Sequence, residues 1–318
     1  MKNNTPFFSV VIPVYNKGPH IHRSISSVLN QTFHNFELIL VDDASTDNSL
    51  EEINKFTDKR IRLFQRNEPG PGGYAARNLG IEKANGKWIA FLDADDEWYP
   101  VHLDKMYELQ KKYPDIYFMS CGWQKQKEGN NVTNEFFKQF YQKGEFTINV
   151  SEYLKFGITK MLPVWTSVAC IKKSSPIALN LFPADLEAKR GGDLHAWLKI
   201  ICYHKKMAWS NHIGAIYHID SINMVTNSAT ASPKLMSKSV YQSFAYNLNY
   251  DEKSLLKKYL NKRLQNSLVL SIRNKQKESN WQYLRNIHWK GDLFNALKLT
   301  IISYLPISVF FYIKLKLK

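Results

Sequence analysis

The sequence predicts an α/β protein with a mostly parallel β-sheet flanked by helices. Three observations support this fold class: short β-branched apolar segments alternate with segments of helical periodicity, polar or acidic residues end the apolar segments, and hydrophobic residues make up 44% of the 318 residues. A chain of that size can bury a large core. Its 22% of charged residues is ordinary for a folded protein and excludes a disordered one.

Three strands and two helices are predicted within the first 65 residues. The strands are Phe7–Asn16, Phe36–Thr46 and the segment RIRLFQ at 60–65. A helix at 20–31 repeats apolar residues at helical spacing, and a second helix follows a cap at Asp47 or Asn48. Continuous apolar strands of this kind are typical of a parallel sheet that is buried on both faces.

The alternation of strands and helices continues to residue 122. A loop rich in glycine and proline, Asn67–Gly80, enters a helix that extends through Ala84, and KWIAFLD at 87–93 is the fourth strand. Pro100 is placed to open the next helix, through Lys112, because the first helical turn accommodates proline. Ile116–Gly122 is the fifth strand, and the alternation predicts helices on both faces of the sheet.

The second half of the chain is less regular. Residues 123–160 are polar and irregular, Trp165–Lys173 is a predicted strand, and Gly191–Lys206 is a predicted helix with its cap at Asp193. Strand patterns cease after about Ser232. We therefore predict one α/β unit at 1–230, with halves at about 1–122 and 123–230, and a helical C-terminal region at 231–318.

Carboxylates follow two of the predicted strands. Asp42 and Asp43 end one strand, and Asp93 and Asp95 end another. A parallel sheet binds its ligands at the carboxyl ends of its strands, so these acids are expected to face one crevice. Adjacent carboxylates repel one another unless a cation neutralises them, and an all-oxygen ligand set suits Mg²⁺ or Mn²⁺. Such an ion would in turn hold phosphates.

The positive charge of the chain is concentrated in its C-terminal region. The formal net charge is +15, and the residues from Leu235 to Lys318 contain 15 Lys or Arg against 4 Asp or Glu. The apolar stretch Leu299–Ile313 is interrupted by Pro306 and is shorter than the roughly 20 residues of a bilayer-spanning helix. We predict that it lies on an anionic membrane surface; the alternative is a pair of helices packed on the α/β unit.

The cysteines and the N-terminus bear on the compartment. Cys121, Cys170 and Cys202 are odd in number and far apart, so they match neither a disulfide framework nor the spacing of metal ligands. The first 16 residues lack the apolar core and cleavage site of a secretory signal. Both features predict a cytoplasmic protein, located at the inner face of the cell membrane if the C-terminal region binds lipid.

Four segments in order carry a resemblance to a known family. They are SVVIPVYN at 9–16, VDDASTDNS at 41–49, PGGYAARNLGIEKANGKWIAFLDADD at 71–96 and GGDLHAWLKI at 191–200. Together they resemble the family 2 glycosyltransferases, which have the GT-A fold and use nucleotide-sugar donors. The resemblance covers about residues 7–220. It implies a nucleotide-sugar half at about 1–122 and an acceptor half at about 123–230.

The resemblance also implies the residues that hold the donor. Pro13, Val14 and Tyr15 would close the first strand around the nucleotide base, and Asp42 or Asp43 would accept a hydrogen bond from the base, with Asp42 slightly favoured. Arg77 and Asn78 would lie beside the nucleotide. Asp93 would contact the ribose or the sugar.

The remaining implied residues concern the metal and the reaction. Asp95 would bind the Mg²⁺ or Mn²⁺ ion that bridges the diphosphate, and His218 is a candidate for a further metal ligand. Asp193 matches the catalytic base of inverting members, which removes the proton of the acceptor hydroxyl. Many members have Glu-Asp where this chain has Gly192-Asp193, and this departure weakens inference about the acceptor.

The predicted function is transfer of a sugar from a nucleotide-diphosphate donor to a glycan or lipid-linked glycan, in bacterial surface polysaccharide or lipopolysaccharide synthesis. Three other classes of protein share some of these sequence features. A dinucleotide-dependent oxidoreductase would need G-x-G-x-x-G after the first strand, which is missing. A nucleic-acid-binding protein would use the basic C-terminal region with Trp281, Tyr283 and Trp289, but it leaves the strand-end acids unexplained. A nucleotidyltransferase-like metal enzyme would need a basic glycine-rich loop near the N-terminus, which is missing.

Overall fold

The computed structural model describes residues 5–186, 188–221, 231–273, 280–290 and 292–304. Within these segments the strands form one sheet in the order β3-β2-β1-β4-β9-β6-β10-β5, with β7 beside β6 and β8 beside β10. The strands are β1 (Phe8–Val14), β2 (Phe36–Asp42), β3 (Ile61–Gln65), β4 (Trp88–Phe91), β5 (Glu97–Trp98), β6 (Phe118–Lys127), β7 (Asn130–Thr133), β8 (Phe146–Asn149), β9 (Cys170–Lys172) and β10 (Lys206–His218).

Helices cover both faces of this sheet. In chain order they are α1 (Gly18–Leu29), α2 (Ser49–Asn54), α3 (Tyr74–Lys83), α4 (His102–Lys112), α5 (Glu135–Phe140), α6 (Val150–Ile158), α7 (Gly192–His204), α8 (Lys238–Ala245), α9 (Tyr250–Arg273), α10 (Asn280–Leu284) and α11 (Leu293–Tyr304). The predicted fold class, a mostly parallel sheet flanked by helices with a helical C-terminal region, is therefore confirmed.

The first half of the sheet is parallel throughout. β1 pairs with β2 on one side and with β4 on the other, and β2 pairs with β3, all in parallel register. All residues of β2 and all of β4 are buried, which explains why most of them are apolar. Because these strands run in the same direction, their carboxyl ends meet at one edge of the sheet, as predicted.

The second half of the sheet mixes directions. β6 and β10 are long parallel neighbours, whereas β5, β7, β8 and β9 pair antiparallel with their neighbours. The prediction that residues 123–160 are irregular is wrong, since β6 extends to Lys127 and is followed by β7, α5, β8 and α6. The polar, largely exposed strand β7 pairs at the edge of the sheet, so no apolar alternation marks it in the sequence.

Two hydrophobic clusters lie on the two faces of the sheet. Alternate residues of β1 belong to opposite clusters, Val10 and Ile12 to one and Val11 to the other, as the two-residue period of a strand requires. The cluster on the Val11 face also contains Leu260 of α9 and Leu299 of α11. The C-terminal helices therefore share a core with the sheet. The boundary at residue 230 stays a prediction, and residues 305–313 of the predicted membrane segment lie outside the described residues.

The two capping predictions have different outcomes. Asn48 occupies the N-cap position of α2, but its side chain makes no capping hydrogen bond there. Asp193 does not cap α7, because Gly191 holds that position with a left-handed φ of 88°. Asp193 lies instead in the first turn of α7, where a negative charge interacts favourably with the helix dipole.

Candidate active site

Asp93 and Arg77 form an ion pair at the end of β4. An Arg77 side-chain nitrogen donates to Asp93 Oδ1 at 2.5 Å, and its other terminal nitrogen donates to the carbonyl of Gly72 at 3.0 Å. Burial raises the pKa of Asp93, with Asp95 and Asp193 adding to the rise and Arg77 opposing it. The guanidinium thus joins the acidic loop after β4 to the glycine-rich loop before α3.

Asp95 is held by cations from the first strand–helix connection. Lys17 Nζ lies 2.6 Å from Asp95 Oδ2, and Arg23 of α1 donates to the Asp95 carbonyl at 2.5 Å. Both side chains of the Lys17–Asp95 pair are largely buried. An ammonium therefore neutralises the carboxylate that the sequence assigned to a metal.

Asp96 and Glu97 follow Asp95 in the chain, and both contact His218. Asp96 is fully buried and accepts hydrogen bonds from the Ser167 hydroxyl and from the His218 amide. Burial raises the pKa of Asp96 well above its ordinary value, with the nearby carboxylates adding to the rise. His218 Nε2 lies 3.0 Å from Glu97 Oε1. A metal-ligand role for Nε2 of His218 would require this contact to break, and that role stays a prediction.

The ends of β1 and β2 lie side by side at the same edge of the sheet. Val14 is buried and its carbonyl accepts from the Asp43 amide at 2.7 Å, while Tyr15 remains 46% exposed. A Cβ on Gly73 would lie 3.6 Å from Pro13, so the glycine-rich loop passes directly over this strand end. The exposed ring of Tyr15 is available to a planar ligand.

The two acids after β2 differ in their partners. Asp42 accepts a hydrogen bond from the Ser45 amide, whereas Asp43 is paired with Arg66 and accepts from the Gly70 amide at 3.1 Å. Burial raises the pKa of Asp43, and its contacts with Gly70 and Arg66 oppose that rise. Asp43 therefore anchors the glycine-rich loop, and Asp42 has fewer polar partners than Asp43.

Asn78 has a structural partner. Its side-chain amide donates to the Phe182 carbonyl at 2.8 Å and accepts from the Phe182 amide at 3.0 Å. The side-chain amide thereby pairs with the backbone of Phe182 as a neighbouring strand would, and it holds the segment before α7 against α3. Its expected position beside the nucleotide stays a prediction, and the geometry directs its hydrogen bonds to Phe182.

Asp193 lies close to Tyr74 and Asp93. The Gly192 amide donates to the Tyr74 hydroxyl at 2.8 Å, which links the start of α7 to the start of α3. Burial raises the pKa of Tyr74, and the Asp193 charge adds to the rise; the same charge raises the pKa of Asp93. Asp193 is therefore close enough to interact with both residues.

Three contributors were not identified from the sequence. Lys17, Tyr74 and Arg263 each contact a strand-end acid or the loop before Asp193, and Arg263 of α9 donates to the Gly191 carbonyl at 3.3 Å. Tyr74 lies inside the family segment at 71–96, and Lys17 lies one residue beyond the segment at 9–16. No local signal marks Arg263, because it lies 72 residues beyond Gly191.

The acidic loop fits a divalent cation of the Mg²⁺ or Mn²⁺ type. Asp93 and Asp95 offer carboxylate oxygens, which are the donors that such ions prefer, and each is already balanced by a protein cation. Mg²⁺ is commonly bound by one or two carboxylates together with substrate phosphates. Asp95 could supply the carboxylate once Lys17, on its flexible stem, moves towards a phosphate.

Residues 9–163 match the family model described as glycosyl transferase family 2. These residues belong to this family. Among curated relatives, the chain is 42% identical over 104 residues to WfgD of Escherichia coli, a UDP-Glc:alpha-D-GlcNAc-diphosphoundecaprenol beta-1,3-glucosyltransferase. That match covers 33% of this chain and 41% of WfgD. The chain spans between 26% and 43% of the length of the curated relatives compared with it.

Two solved structures share the fold of this chain. TarS 1-349 of S. aureus, in complex with UDP-GlcNAc, superposes with a TM-score of 0.76 at 19% identity, covering 93% of this chain and 89% of that one. The mannosyltransferase PcManGT of Pyrobaculum calidifontis, in complex with GDP-Man and Mn²⁺, has a TM-score of 0.52 at 18% identity, covering 96% and 86%. Among the residues that the structure describes, no helix combines the length and apolar character needed to span a membrane.

Proposed function

We propose that this chain is an inverting glycosyltransferase that moves a sugar from a nucleotide-diphosphate donor to a hydroxyl group of a glycan. The observation that supports the proposal is a chain of contacts between the two acidic segments: the Gly192 amide donates to the Tyr74 hydroxyl at the start of α3, and Arg77 of the same helix is paired with Asp93. The Asp193 charge also raises the pKa of both Asp93 and Tyr74. These acids lie 100 residues apart in the chain, Asp93 in the loop after β4 and Asp193 in the first turn of α7.

The donor would lie along the ends of β1, β2 and β4. The half-exposed ring of Tyr15 suits stacking on a base, and Asp42 offers an acceptor beside it. We propose a uridine diphosphate sugar as the first donor to test, because WfgD and TarS are named with UDP-linked sugars, and a guanosine diphosphate sugar as the second, because PcManGT is named with GDP-Man.

Asp193 is the proposed general base. In an inverting displacement the acceptor hydroxyl attacks the anomeric carbon from the face opposite the leaving diphosphate, and a carboxylate within hydrogen-bond reach accepts its proton. Lys17 and Arg77 carry positive charge on the opposite, acidic-loop side, where they can stabilise negative charge on the diphosphate. A divalent cation bound at Asp95 would add Lewis-acid stabilisation of that leaving group.

The acceptor is proposed to be a lipid-linked glycan of a bacterial surface polysaccharide, because WfgD is named for a diphosphoundecaprenol-linked acceptor. α11 supplies a surface for the lipid. Its outward side exposes five large apolar side chains, those of Leu293, Phe294, Leu297, Ile301 and Tyr304. Its other side, including Ala296 and Leu299, is buried in the core.

Charge favours a membrane over a protein partner for this side of α11. Lys290 and Lys298 are exposed beside the apolar side chains, and the C-terminal 84 residues carry a surplus of positive charge. Apolar side chains flanked by lysines suit the boundary between anionic headgroups and acyl chains. We propose that the enzyme docks through α11 on the inner face of the cell membrane.

The donor proposal is tested by thermal shift with UDP, GDP, ADP and CDP, each with and without Mn²⁺ or Mg²⁺. A nucleotide that binds the native state raises the melting temperature by mass action. We expect one diphosphate to stabilise the protein only with the metal, and Asp95→Ala to lose that effect. Hydrolysis of the matching nucleotide sugar should follow the same metal dependence. Stabilisation by none of the four, together with salt-dependent retention on DNA, would favour the nucleic-acid-binding alternative.

A further inference from the structure

A second group of metal-binding side chains lies away from the acidic loop. His102 is the first residue of α4, Cys121 lies on β6, and His212 lies on β10. His102 Nδ1 is 3.1 Å from His212 Nε2, and Cys121 Sγ is 3.8 Å from His102 Nδ1. One ligand atom from each residue lies within 4.8 Å of the other two. Their separations are close to those of ligand atoms around a single ion bound at roughly 2.0–2.3 Å.

The fold brings these three atoms together through an irregularity in β10. The register between β10 and β6 shifts between Ser210 and Ile213 and again between Ile213 and Ala215. Such bulges re-aim side chains, and here the irregularity directs His212 towards α4. A Cβ on Gly214 would lie 2.3 Å from His102 Nδ1 and 2.6 Å from Cys121 Sγ. Glycine at this position therefore leaves the space beside the two ligand atoms open.

The neighbouring groups orient the rings without using their ligand atoms. The Trp98 ring lies 4.6 Å from the His102 ring, and the Ser210 hydroxyl lies 2.9 Å from His212 Nδ1. A hydrogen bond to the far nitrogen of a histidine is the usual outer-shell support of a metal-binding imidazole. A fourth ligand, such as a water molecule, would complete the coordination of an ion held by these three side chains.

The protonation states also suit a metal site. Burial lowers the pKa of His102 well below its ordinary value and that of His212 to about 3, and the charge of Lys105 adds to the lowering at His212. Glu145 accepts a hydrogen bond from Ser210, which in turn contacts His212 Nδ1. A neutral imidazole is the form that binds a metal. Burial raises the pKa of the Cys121 thiol, so metal binding must release that proton to solvent.

We propose that His102, Cys121 and His212 bind one zinc ion, which fastens α4 to β6 and β10. Zn²⁺ is the expected ion because one thiolate and two imidazoles form a nitrogen and sulfur ligand set, whereas Mg²⁺ and Mn²⁺ prefer oxygen. The three residues are separated by 19 and 110 positions along the chain when counted from His102, so no ligand spacing is visible in the sequence. This site is independent of the proposed transfer reaction.

The test uses the full chain produced without a polyhistidine tag. Metal content is measured by mass spectrometry after purification, and Zn²⁺ affinity is measured by competition with a chromophoric chelator. Co²⁺ is then substituted to reveal thiolate coordination, because a Co²⁺–thiolate bond gives a charge-transfer absorption band. The variants are His212→Ala, at the half-buried ligand, and Cys121→Ser. Cys170→Ser, another buried cysteine of the same sheet, is the matched control, and Asp95→Ala excludes binding at the acidic loop.

We expect one equivalent of Zn²⁺ and a Co²⁺–thiolate band in the wild type, in Cys170→Ser and in Asp95→Ala. His212→Ala should bind Zn²⁺ at least tenfold more weakly, and Cys121→Ser should lose the band. Circular dichroism shows whether each variant is folded, and His212→Ala keeps the test valid if Cys121→Ser unfolds. The proposal is overturned if the wild type binds no stoichiometric Zn²⁺, or if folded His212→Ala binds it as tightly as the wild type.

Discussion

The amide of Gly192 donates a 2.8 Å hydrogen bond to the hydroxyl of Tyr74, 118 residues earlier in the chain. This contact joins the first turn of α7, which contains Asp193, to the first residue of α3. Arg77 lies three residues further along α3. A Cβ on Gly192 would lie 2.6 Å from the Tyr74 ring, so glycine permits the close approach. The Gly-Asp sequence that departs from the common family pattern thus has a packing reason.

Asp193→Asn should lower the rate of sugar transfer by roughly 100- to 10,000-fold, the usual contribution of a general base. The amide matches the carboxylate in size but cannot accept the acceptor proton. Stabilisation by the nucleotide diphosphate should be unchanged, because donor binding lies at the strand ends. Asp185→Asn, an exposed acid of the preceding segment, is the control. Equal transfer rates in the two variants would remove Asp193 from the mechanism.

Arg263→Met should lower transfer by about tenfold while the protein stays folded. The side chain donates to the Gly191 carbonyl at 3.3 Å, and loss of this hydrogen bond frees the loop that orients Asp193. The effect should appear in kcat with little change in the donor KM. Lys258→Met, an exposed cation on the same helix, is the matched control. A fall in rate no larger than that of the control would show that α9 has no positioning role.

Lys17→Gln should strengthen Mn²⁺ binding in the absence of donor by roughly tenfold, because no ammonium then competes for Asp95 Oδ2. The amount of free Mn²⁺ can be measured by its electron paramagnetic resonance signal during a titration. Lys17→Arg keeps the charge and should bind Mn²⁺ as the wild type does. Unchanged affinity in Lys17→Gln would mean that Mn²⁺ does not bind at Asp95.

Glu37→Gln should destabilise the fold at neutral pH by about 1–3 kcal/mol. Burial alone raises the pKa of Glu37, but hydrogen bonds from Ser9, the Asn85 amide and Arg62 outweigh it and leave the pKa lowered. A carboxyl group with a lowered folded pKa stabilises the protein above its unfolded value of 4.5, and this contribution is lost as the pH falls through the folded pKa.

Urea unfolding of wild type and Glu37→Gln across this range checks the sign. The difference in the free energy of unfolding between the two proteins should have its largest value near pH 7 and should shrink as the pH falls below about 4.5. Glu82→Gln, an exposed carboxyl on α3, should show no such trend. A difference that stays constant or grows on acidification would contradict the assignment.

Replacement of Leu297 and Ile301 by Glu should reduce binding to vesicles of anionic lipid by at least tenfold, because two apolar side chains on the outward side of α11 become charged. Cosedimentation with vesicles measures the bound fraction. Val132→Glu with Leu179→Glu makes the same change at two exposed apolar positions elsewhere and should bind as the wild type does. Equal binding by both double variants would exclude α11 as the docking surface.

Much of the first half of the fold could be predicted because its signals are local. β1, β2 and β4 are almost entirely buried, so most of their residues are apolar, and the buried Glu37 of β2 is paired with Arg62. β7 and β8 escaped prediction, since short strands at the edges of a sheet need no apolar alternation. The cap of α7 was also predicted wrongly, because Gly191, with its left-handed φ, occupies the N-cap position expected for Asp193.

The candidate site could be predicted as a group of residues but not as a set of contacts. Parallel strands bring their ends together, and this rule alone predicted that Asp42 and Asp93 lie at one edge. It could not predict that Lys17 pairs with Asp95, that Asn78 bonds to Phe182, or that His218 contacts Glu97. Each of these partners lies on a different element, and side-chain pairing across elements depends on the packed geometry.

By itself the sequence determined the fold class, the family and the acids at the strand ends, because periodicity and short motifs are properties of neighbouring residues. Only the tertiary structure decided which cation neutralises each acid and that Arg263 reaches the loop before Asp193. It alone brought His102, Cys121 and His212 within bonding range of one ion. Such contacts arise when distant elements pair in the sheet, and no local pattern in the chain encodes them.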